Sequence, residues 1–357
     1  MKKIAIMTAG GDCAGLNSAI KAIVMTANTH GIETIGVTDG YIGFVEGNYI
    51  PLTIDTVRNI EIQGGTMLGS SNKECPFHYY NKKTGGFDDR TDEGIKKLRA
   101  QGVEGMVVVG GDGTLDSARV IFEHGMPTVG IPKTIDNDMS ASEPTIGFQT
   151  AIEAAVEAIR RLITTAYSHR RVMVVELMGR TSGYLTLYAG FAAGADIILL
   201  PEIPYDIDMV VEALERRNKQ GKRFSILAVA EGAISKEDAA LSKKELKQKR
   251  KNSPYPSISY EIGEEIGKRT GQEIRVTIPG HTQRGGSPVP YDRVLSSRFG
   301  AAAAKLIMNG EFGYMVGMKN GEVVKVPLEE VAGKLKVVDK DSSIIREAKL
   351  MGISFGD

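Results

Sequence analysis

The sequence predicts an α/β protein built from two similar doubly wound lobes with parallel-rich sheets. Three observations carry that expectation. At 357 residues the chain exceeds the usual size of a single hydrophobic core. Short apolar runs alternate with helix-period segments along its length, the pattern of parallel βαβ units. Three of those runs end in turns of small and acidic residues: Gly10-Gly11-Asp12, Gly110-Gly111-Asp112-Gly113 and Thr134-Ile135-Asp136-Asn137-Asp138.

The elements follow in order. Lys3–Thr8 reads as the first buried strand, Leu16–Asn28 as a helix and Glu33–Val37 as the next strand. The same rhythm returns at Gly105–Val109, Thr114–His124 and Thr128–Ile131. The longest helix is expected over Phe148–Tyr167, where Ile152, Ala155, Val156, Ile159 and Ile163 mark one face and Glu153, Glu157 and Arg160 lie off it. Arg171–Leu177, Asp196–Leu200 and Ser225–Ala230 then form strands of a second sheet. Between Ser235 and Pro256 the run from Lys243 to Lys251 concentrates positive charge, reading as an exposed, solvated helix and loop.

Composition narrows the class. Lysine and arginine total 44, as do aspartate and glutamate, so no net charge favours nucleic acid or an acidic membrane surface. Two cysteines, Cys13 and Cys75, are too few for a disulfide framework or metal cluster and suit a reducing, cytoplasmic compartment. The apolar run after Lys2 and Lys3 stops at Gly10, too soon for a signal peptide, and no apolar stretch approaches the roughly 18 residues of a membrane span.

The turns point to phosphoryl transfer. Glycines between a strand and a helix let backbone N–H groups approach phosphate oxygens at the helix N-terminus. Asp112, ahead of a helix, suits a magnesium ion bridging phosphates. Asp136 is the candidate general base for a sugar hydroxyl. Asp138 fits three roles: an orienting partner, a second metal contact or an Asx-turn cap.

Gly110–Gly113, Pro132–Asp138, Met178-Gly179-Arg180, Glu231 and Gly280-His281-Thr282-Gln283-Arg284-Gly285-Gly286-Ser287-Pro288 occur in the order seen in one family, so the chain resembles the 6-phosphofructokinases. The resemblance implies the phosphofructokinase fold, with fructose 6-phosphate as acceptor, ATP as donor and Mg²⁺ as cofactor; pyrophosphate is the alternative donor. It implies a donor-binding lobe of residues 1–147 with a returning segment near 283–320, and a sugar-phosphate lobe of 148–282 with 321–357. Donor contacts are expected from Gly11, Tyr41, Asn72, Gly111, Asp112, Gly113, Thr114 and Ser117. Lys133, Thr134, Asp136 and Arg180 are the expected catalytic residues, Arg180 stabilising the transferring group. The sugar phosphate is expected to meet Thr134, Asp136, Asp138, Met178, Gly179, Arg180, Glu231, His281 and Arg284. Met178 also fits a role as core filler. Arg171 and Arg275 are expected to reach in from a neighbouring subunit, implying a homotetramer, a dimer of dimers, with shared active sites.

The donor signature is mixed. ATP users of the family resemble Gly113, whereas pyrophosphate users carry a lysine like Lys133. Gly113 weighs more, because a missing side chain leaves room for an α-phosphate while a lysine blocks nothing. Lys21 and Lys222 match the family's effector-binding cations, but Met25, Ile54 and Ile163 replace others and Asp196 replaces a metal-contacting glutamate, so anionic effectors lose their partners. The short bacterial members have a shorter connection at 235–256, which marks that stretch as an insertion. A nicotinamide-dependent oxidoreductase is disfavoured: Gly10-Gly11-Asp12-Cys13-Ala14-Gly15 lacks the Gly-x-Gly-x-x-Gly fingerprint.

Overall fold

A computed structural model describes the chain except residues 73, 74, 83 and 332. From the N-terminus the elements are β1 (Lys3–Thr8), α1 (Leu16–Asn28), β2 (Glu33–Val37), α2 (Tyr41–Glu46), β3 (Tyr49–Leu52), a hairpin of β4 (Tyr79–Asn81) and β5 (Gly86–Asp88), α3 (Thr91–Ala100), β6 (Gly105–Gly110), α4 (Asp112–Glu123) and β7 (Thr128–Pro132). There follow α5 (Phe148–His169), β8 (Val172–Leu177), α6 (Tyr184–Ala193), β9 (Ile197–Leu199), α7 (Ile207–Lys219), β10 (Ser225–Ala230), α8 (Lys236–Ala239), α9 (Lys243–Asn252), α10 (Ile258–Thr270) and β11 (Ile274–Thr277). The chain closes with α11 (Pro290–Met308), β12 (Tyr314–Lys319), β13 (Glu322–Pro327), α12 (Leu328–Val331) and α13 (Ser343–Leu350).

Two compact units result, Met1–Thr150 with Arg284–Leu335 and Ala151–Gln283 with Lys336–Asp357. The first holds a seven-stranded sheet in the order β13-β12-β7-β6-β1-β2-β3. Strands β12, β7, β6, β1 and β2 run parallel, and antiparallel β13 and β3 close the edges. The returning segment therefore runs to Leu335 rather than ending near 320, because β13 pairs with β12 from Glu322 to Pro327. The second unit holds a four-stranded parallel sheet, β11-β8-β10-β9.

Parallel strands covered on both faces read as continuous apolar runs, and β6, β7, β8 and β10 are buried along their whole lengths. The long helix extends two residues beyond expectation, to His169. Its start is held by a residue far along the chain: the buried Asp292 carboxylate accepts hydrogen bonds from Gly147 N (3.1 Å), Thr150 N (2.7 Å) and the Thr150 hydroxyl (2.6 Å). Among the described residues no helix is long and apolar enough to cross a membrane.

Candidate active site

In the first unit, β1 lies between β2 and β6, and the chain leaves it toward β2 but returns at β6. The strand order thus reverses between β1 and β6, and ligands in open α/β sheets bind at the carboxyl ends flanking such a point. All three predicted turns stand there, after β1, β6 and β7, on adjacent strands. Lys133 joins them. Its N–H donates to Gly110 O (2.9 Å) and its buried ammonium donates to Gly11 O. Burial pulls the Lys133 pKa below the ordinary lysine value, while the nearby Asp12 and Asp136 carboxylates oppose the shift.

Local sterics explain the glycines. Gly10 adopts φ 82°, and a Cβ there would lie 3.0 Å from Thr114 Oγ1. A Cβ on Gly11 would come within 2.7 Å of the Arg284 guanidinium, which donates to Asp12 O at 3.2 Å. Gly111 precedes α4 in extended conformation, and a Cβ on Gly113 would meet nothing within 4 Å. The 66–72 loop closes over the first turn: Ser70 Oγ donates to Gly10 O (2.5 Å), Gly10 N to Ser71 O (2.9 Å) and Thr8 Oγ1 to Gly69 O (2.9 Å). Gly11, Asp12, Ser70, Ser71 and Asn72 line a cavity of about 830 Å³. Asn72, an expected donor contact, is among the lining residues, whereas the loop's hydrogen bonds to the glycine turn have no signal in the sequence.

Two predicted donor contacts point inward instead. Tyr41 is 2% exposed, packs edge-on against Phe44 and donates to Thr114 O at 2.7 Å. An aromatic ring so enclosed cannot stack on an adenine. Ser117 is likewise 2% exposed, its hydroxyl donating back to Gly113 O (3.1 Å) one helical turn earlier. Thr114 is also buried, seated against Gly10 and Gly110.

After β7, Asp136 N donates to Thr134 Oγ1 (3.1 Å), and Asn137 takes the left-handed conformation at φ 51°. The Thr145 hydroxyl fixes the turn, 2.7 Å from Thr134 O and 3.2 Å from Asn137 Oδ1. Asp136 and Asp138 are 4% and 5% exposed. Asp112 opens α4, and its Oδ1 accepts from Gly333 N at 2.8 Å. Among the described residues no three histidines, cysteines or carboxylates cluster to hold a metal. Magnesium bound chiefly by phosphates and water needs only one or two protein carboxylates, so Asp112 beside the glycine turns fits that ion. Cys13 is a buried thiol whose pKa desolvation pushes up to about 12, and it takes no part in this chemistry.

In the second unit Met178-Gly179-Arg180 and Glu231 follow the adjacent strands β8 and β10. Glu231 Oε1 accepts from Gly179 N (3.2 Å) and Arg180 N (2.7 Å), and Met178 N donates to Gln283 Oε1 (3.3 Å). Gly179 has φ 146°, and Arg180 φ 54°. A non-glycine residue persists in that region only where its surroundings hold it. Glu231, expected as a sugar contact, supplies that hold. Arg171 and Arg275 converge on Glu273, which sequence reading passed over. Arg171 makes two bonds to its carboxylate (2.8 and 3.0 Å) and Arg275 one, and the arginines hold the Glu273 pKa below the usual range. His281 is exposed in the short helical turn Gly280–Arg284.

At the expected effector positions the charges of Lys21 and Asp196 are paired locally. Lys21 pairs with Glu61 (2.7 Å), and Met25 and Ile54 are exposed apolar side chains. Asp196 is held by Arg217 (2.7 Å) and Ile226 N (2.9 Å).

The sequence profile of the family described as Phosphofructokinase matches residues 3–307. The chain belongs to the phosphofructokinase family. Over 360 residues it is 45% identical to an ATP-dependent 6-phosphofructokinase of Spirochaeta thermophila, covering 99% of this chain and 97% of that one. It is 44% identical to ATP-dependent 6-phosphofructokinase 2 of Clostridium perfringens, covering 100% and 99%. Among solved structures it resembles phosphofructokinase from Saccharomyces cerevisiae, with TM-score 0.78, 32% identity and 92% of this chain covered but 45% of that one. A pyrophosphate-dependent phosphofructokinase from Marinobacter aquaeolei, 18% identical with TM-score 0.77 over 97% of this chain and 88% of that one, shares the fold. Both positions expected to mark the donor lie in the first unit: Gly113 opens onto free space, and Lys133 is buried against Gly11.

Proposed function

We propose that the chain transfers the γ-phosphoryl group of ATP to the 1-hydroxyl of fructose 6-phosphate, giving fructose 1,6-bisphosphate and ADP. The observation that carries this reading is the gathering of three glycine and aspartate turns at the carboxyl ends of β1, β6 and β7, in a chain colinear with ATP-dependent relatives.

The glycine turns receive the donor phosphates on backbone N–H groups, with Lys133 supplying positive charge. Asp136 takes the proton of the 1-hydroxyl as its oxygen attacks the γ-phosphorus, and the bond to the ADP oxygen breaks. Arg180 neutralises the charge on the transferring group. Asp112, with Asp138 as a second contact, would hold Mg²⁺, which when bound neutralises phosphate charge. Met178, Gly179, Glu231, His281 and Arg284 engage the sugar phosphate. The first unit supplies the donor turns together with Asp136 and Arg284, and the second supplies Met178, Gly179, Arg180, Glu231 and His281.

Arg171 and Arg275 act in a neighbouring subunit's site. Six strand residues, roughly 20 Å, separate Arg171 from Met178 along β8. That separation supports sites shared between neighbouring subunits, and we assign the enzyme as a cytoplasmic homotetramer. A second reading, pyrophosphate as donor, rests on Lys133.

A coupled assay for fructose 1,6-bisphosphate tests the reaction. Asp136→Ser should lower kcat by about 10²- to 10⁴-fold while leaving the KM for fructose 6-phosphate within a few-fold. Near-normal turnover would remove Asp136 as the base.

A further inference from the structure

The 235–256 segment contributes nothing to the reaction as proposed, and its charge pattern reads as a solvated face. Helix α9 agrees in part: it has no buried residue and begins with a capping box, Ser242 Oγ accepting from Glu245 N and Glu245 accepting from Ser242 N. Its last turn behaves differently. Lys249 pairs with Asp238 at 2.5 Å, and that carboxylate side chain is only 10% exposed. The next residue, Arg250, donates through Nη2 to Ala233 O at 3.0 Å and lies 3.4 Å from Gly232 O. Those two carbonyls belong to the turn directly after Glu231.

The turn is pressed against the loop of Arg180. A Cβ on Gly232 would fall 2.0 Å from Arg180 O, so the two backbones meet with no room for a side chain. Glu231, one residue earlier, holds the N–H groups of Gly179 and Arg180. Anchoring at 232–233 is therefore transmitted to Arg180 through one rigid turn and one carboxylate. The same groups enclose a cavity of about 730 Å³, lined by Arg180, Glu231, Gly232, Lys249, Arg250 and Tyr255. The inserted helix is a wall of the pocket into which the loop of Arg180 opens.

We propose that Arg250 is a positioning residue for phosphoryl transfer: by clamping the Gly232 and Ala233 carbonyls it fixes Glu231, and through Glu231 the left-handed backbone that aims Arg180. The proposal rests on the reading of Arg180 as the group that stabilises the transferring phosphoryl. Misplacement of such a group by about 1 Å is enough to cost up to 10²-fold in rate, so a residue outside the reacting atoms can govern turnover. Both bonds leave the single Nη2 nitrogen, and a lysine ammonium, more strongly hydrated and on a differently shaped stem, reproduces that placement only in part.

The test uses the full-length enzyme with initial rates in both substrates. Arg250→Ala should lower kcat about tenfold or more and leave the KM for ATP within about threefold. Its melting temperature should stay within about 2 °C of wild type. Millimolar guanidinium should restore part of the lost kcat in Arg250→Ala and do nothing for Lys247→Ala, an exposed α9 control expected to keep wild-type rates. Arg250→Lys, which keeps a charged donor group, should fall between wild type and alanine and serves if the alanine variant folds poorly. If Arg180→Ala is inactive while Arg250→Ala keeps kcat within twofold, Arg250 positions nothing. If Arg180→Ala itself turns over normally, the reading of Arg180 falls and this proposal with it. A kcat loss that follows a lowered melting temperature, with no guanidinium rescue, also overturns it.

Discussion

Gly113→Asp separates the donor from the fold. Gly113 is the second residue of α4 and exposed, and a Cβ there meets nothing within 4 Å. The new side chain enters without a clash. A carboxylate in the first turn of a helix gains about 0.3–1 kcal/mol from the helix dipole, and replacing glycine removes a further 0.5–1 kcal/mol of backbone-entropy cost. The melting temperature should therefore hold or rise. The cost falls on the nucleotide. A carboxylate about 5 Å from a phosphate charge, at an effective dielectric of 20 to 40, is repelled by roughly 1.7–3.3 kcal/mol. That corresponds to about a 20- to 250-fold loss of affinity for the donor. The assay is the initial rate against ATP at saturating fructose 6-phosphate, beside a thermal melt of the same preparation. An ATP KM within threefold of wild type in a folded variant would refute the reasoning, because it would mean that no donor phosphate passes near residue 113.

Three further outcomes follow. Glu231→Ala removes the acceptor of the Gly179 and Arg180 N–H groups, so kcat should fall about 10²-fold, and Glu231→Gln, which keeps an acceptor oxygen, should retain more activity; equal losses would assign Glu231 to charge alone. Lys133→Met tests the buried ammonium by its pH dependence. Because the native Lys133 pKa is lowered by burial, the unfolded chain binds more protons between that pKa and the ordinary 10.5, so Lys133 makes wild-type stability rise with pH across that window. The melting-temperature difference between variant and wild type should favour the variant most near neutrality and shrink as pH climbs toward that value; a difference constant with pH would contradict the shift. ADP and phosphoenolpyruvate should move the half-saturating fructose 6-phosphate concentration by less than about tenfold, since Met25 and Ile54 offer no charge and Lys21 is paired with Glu61; a larger shift in saturation curves would overturn that expectation.

Much of the fold was legible because buried parallel strands and amphipathic helices are written in local periodicity. Lys3–Thr8, Glu33–Val37 and Ser225–Ala230 appear at their expected bounds, and the glycine turns stand where strand meets helix. What periodicity could not convey was pairing at long range. Asp292 caps the start of α5 from 145 positions away from Gly147, and Glu273, just before β11, bonds Arg275 two residues on and Arg171 102 positions earlier. Tyr41 and Ser117 illustrate the converse. Ser117 follows the Gly110–Gly113 turn and Tyr41 opens the helix after β2, but side-chain direction is set by packing, and both turn into the core. Arg250 sat in a charge run whose composition describes the solvated face of α9 and hides the one turn that binds back.

The donor tests the account most directly. Turnover of the wild-type enzyme should be measured with ATP and with pyrophosphate at equal, saturating fructose 6-phosphate and magnesium. The open space at Gly113 predicts efficient use of ATP and little turnover with pyrophosphate. Efficient pyrophosphate use with ATP nearly inert would contradict it, and would make the buried Lys133 rather than Gly113 the residue that selects the donor.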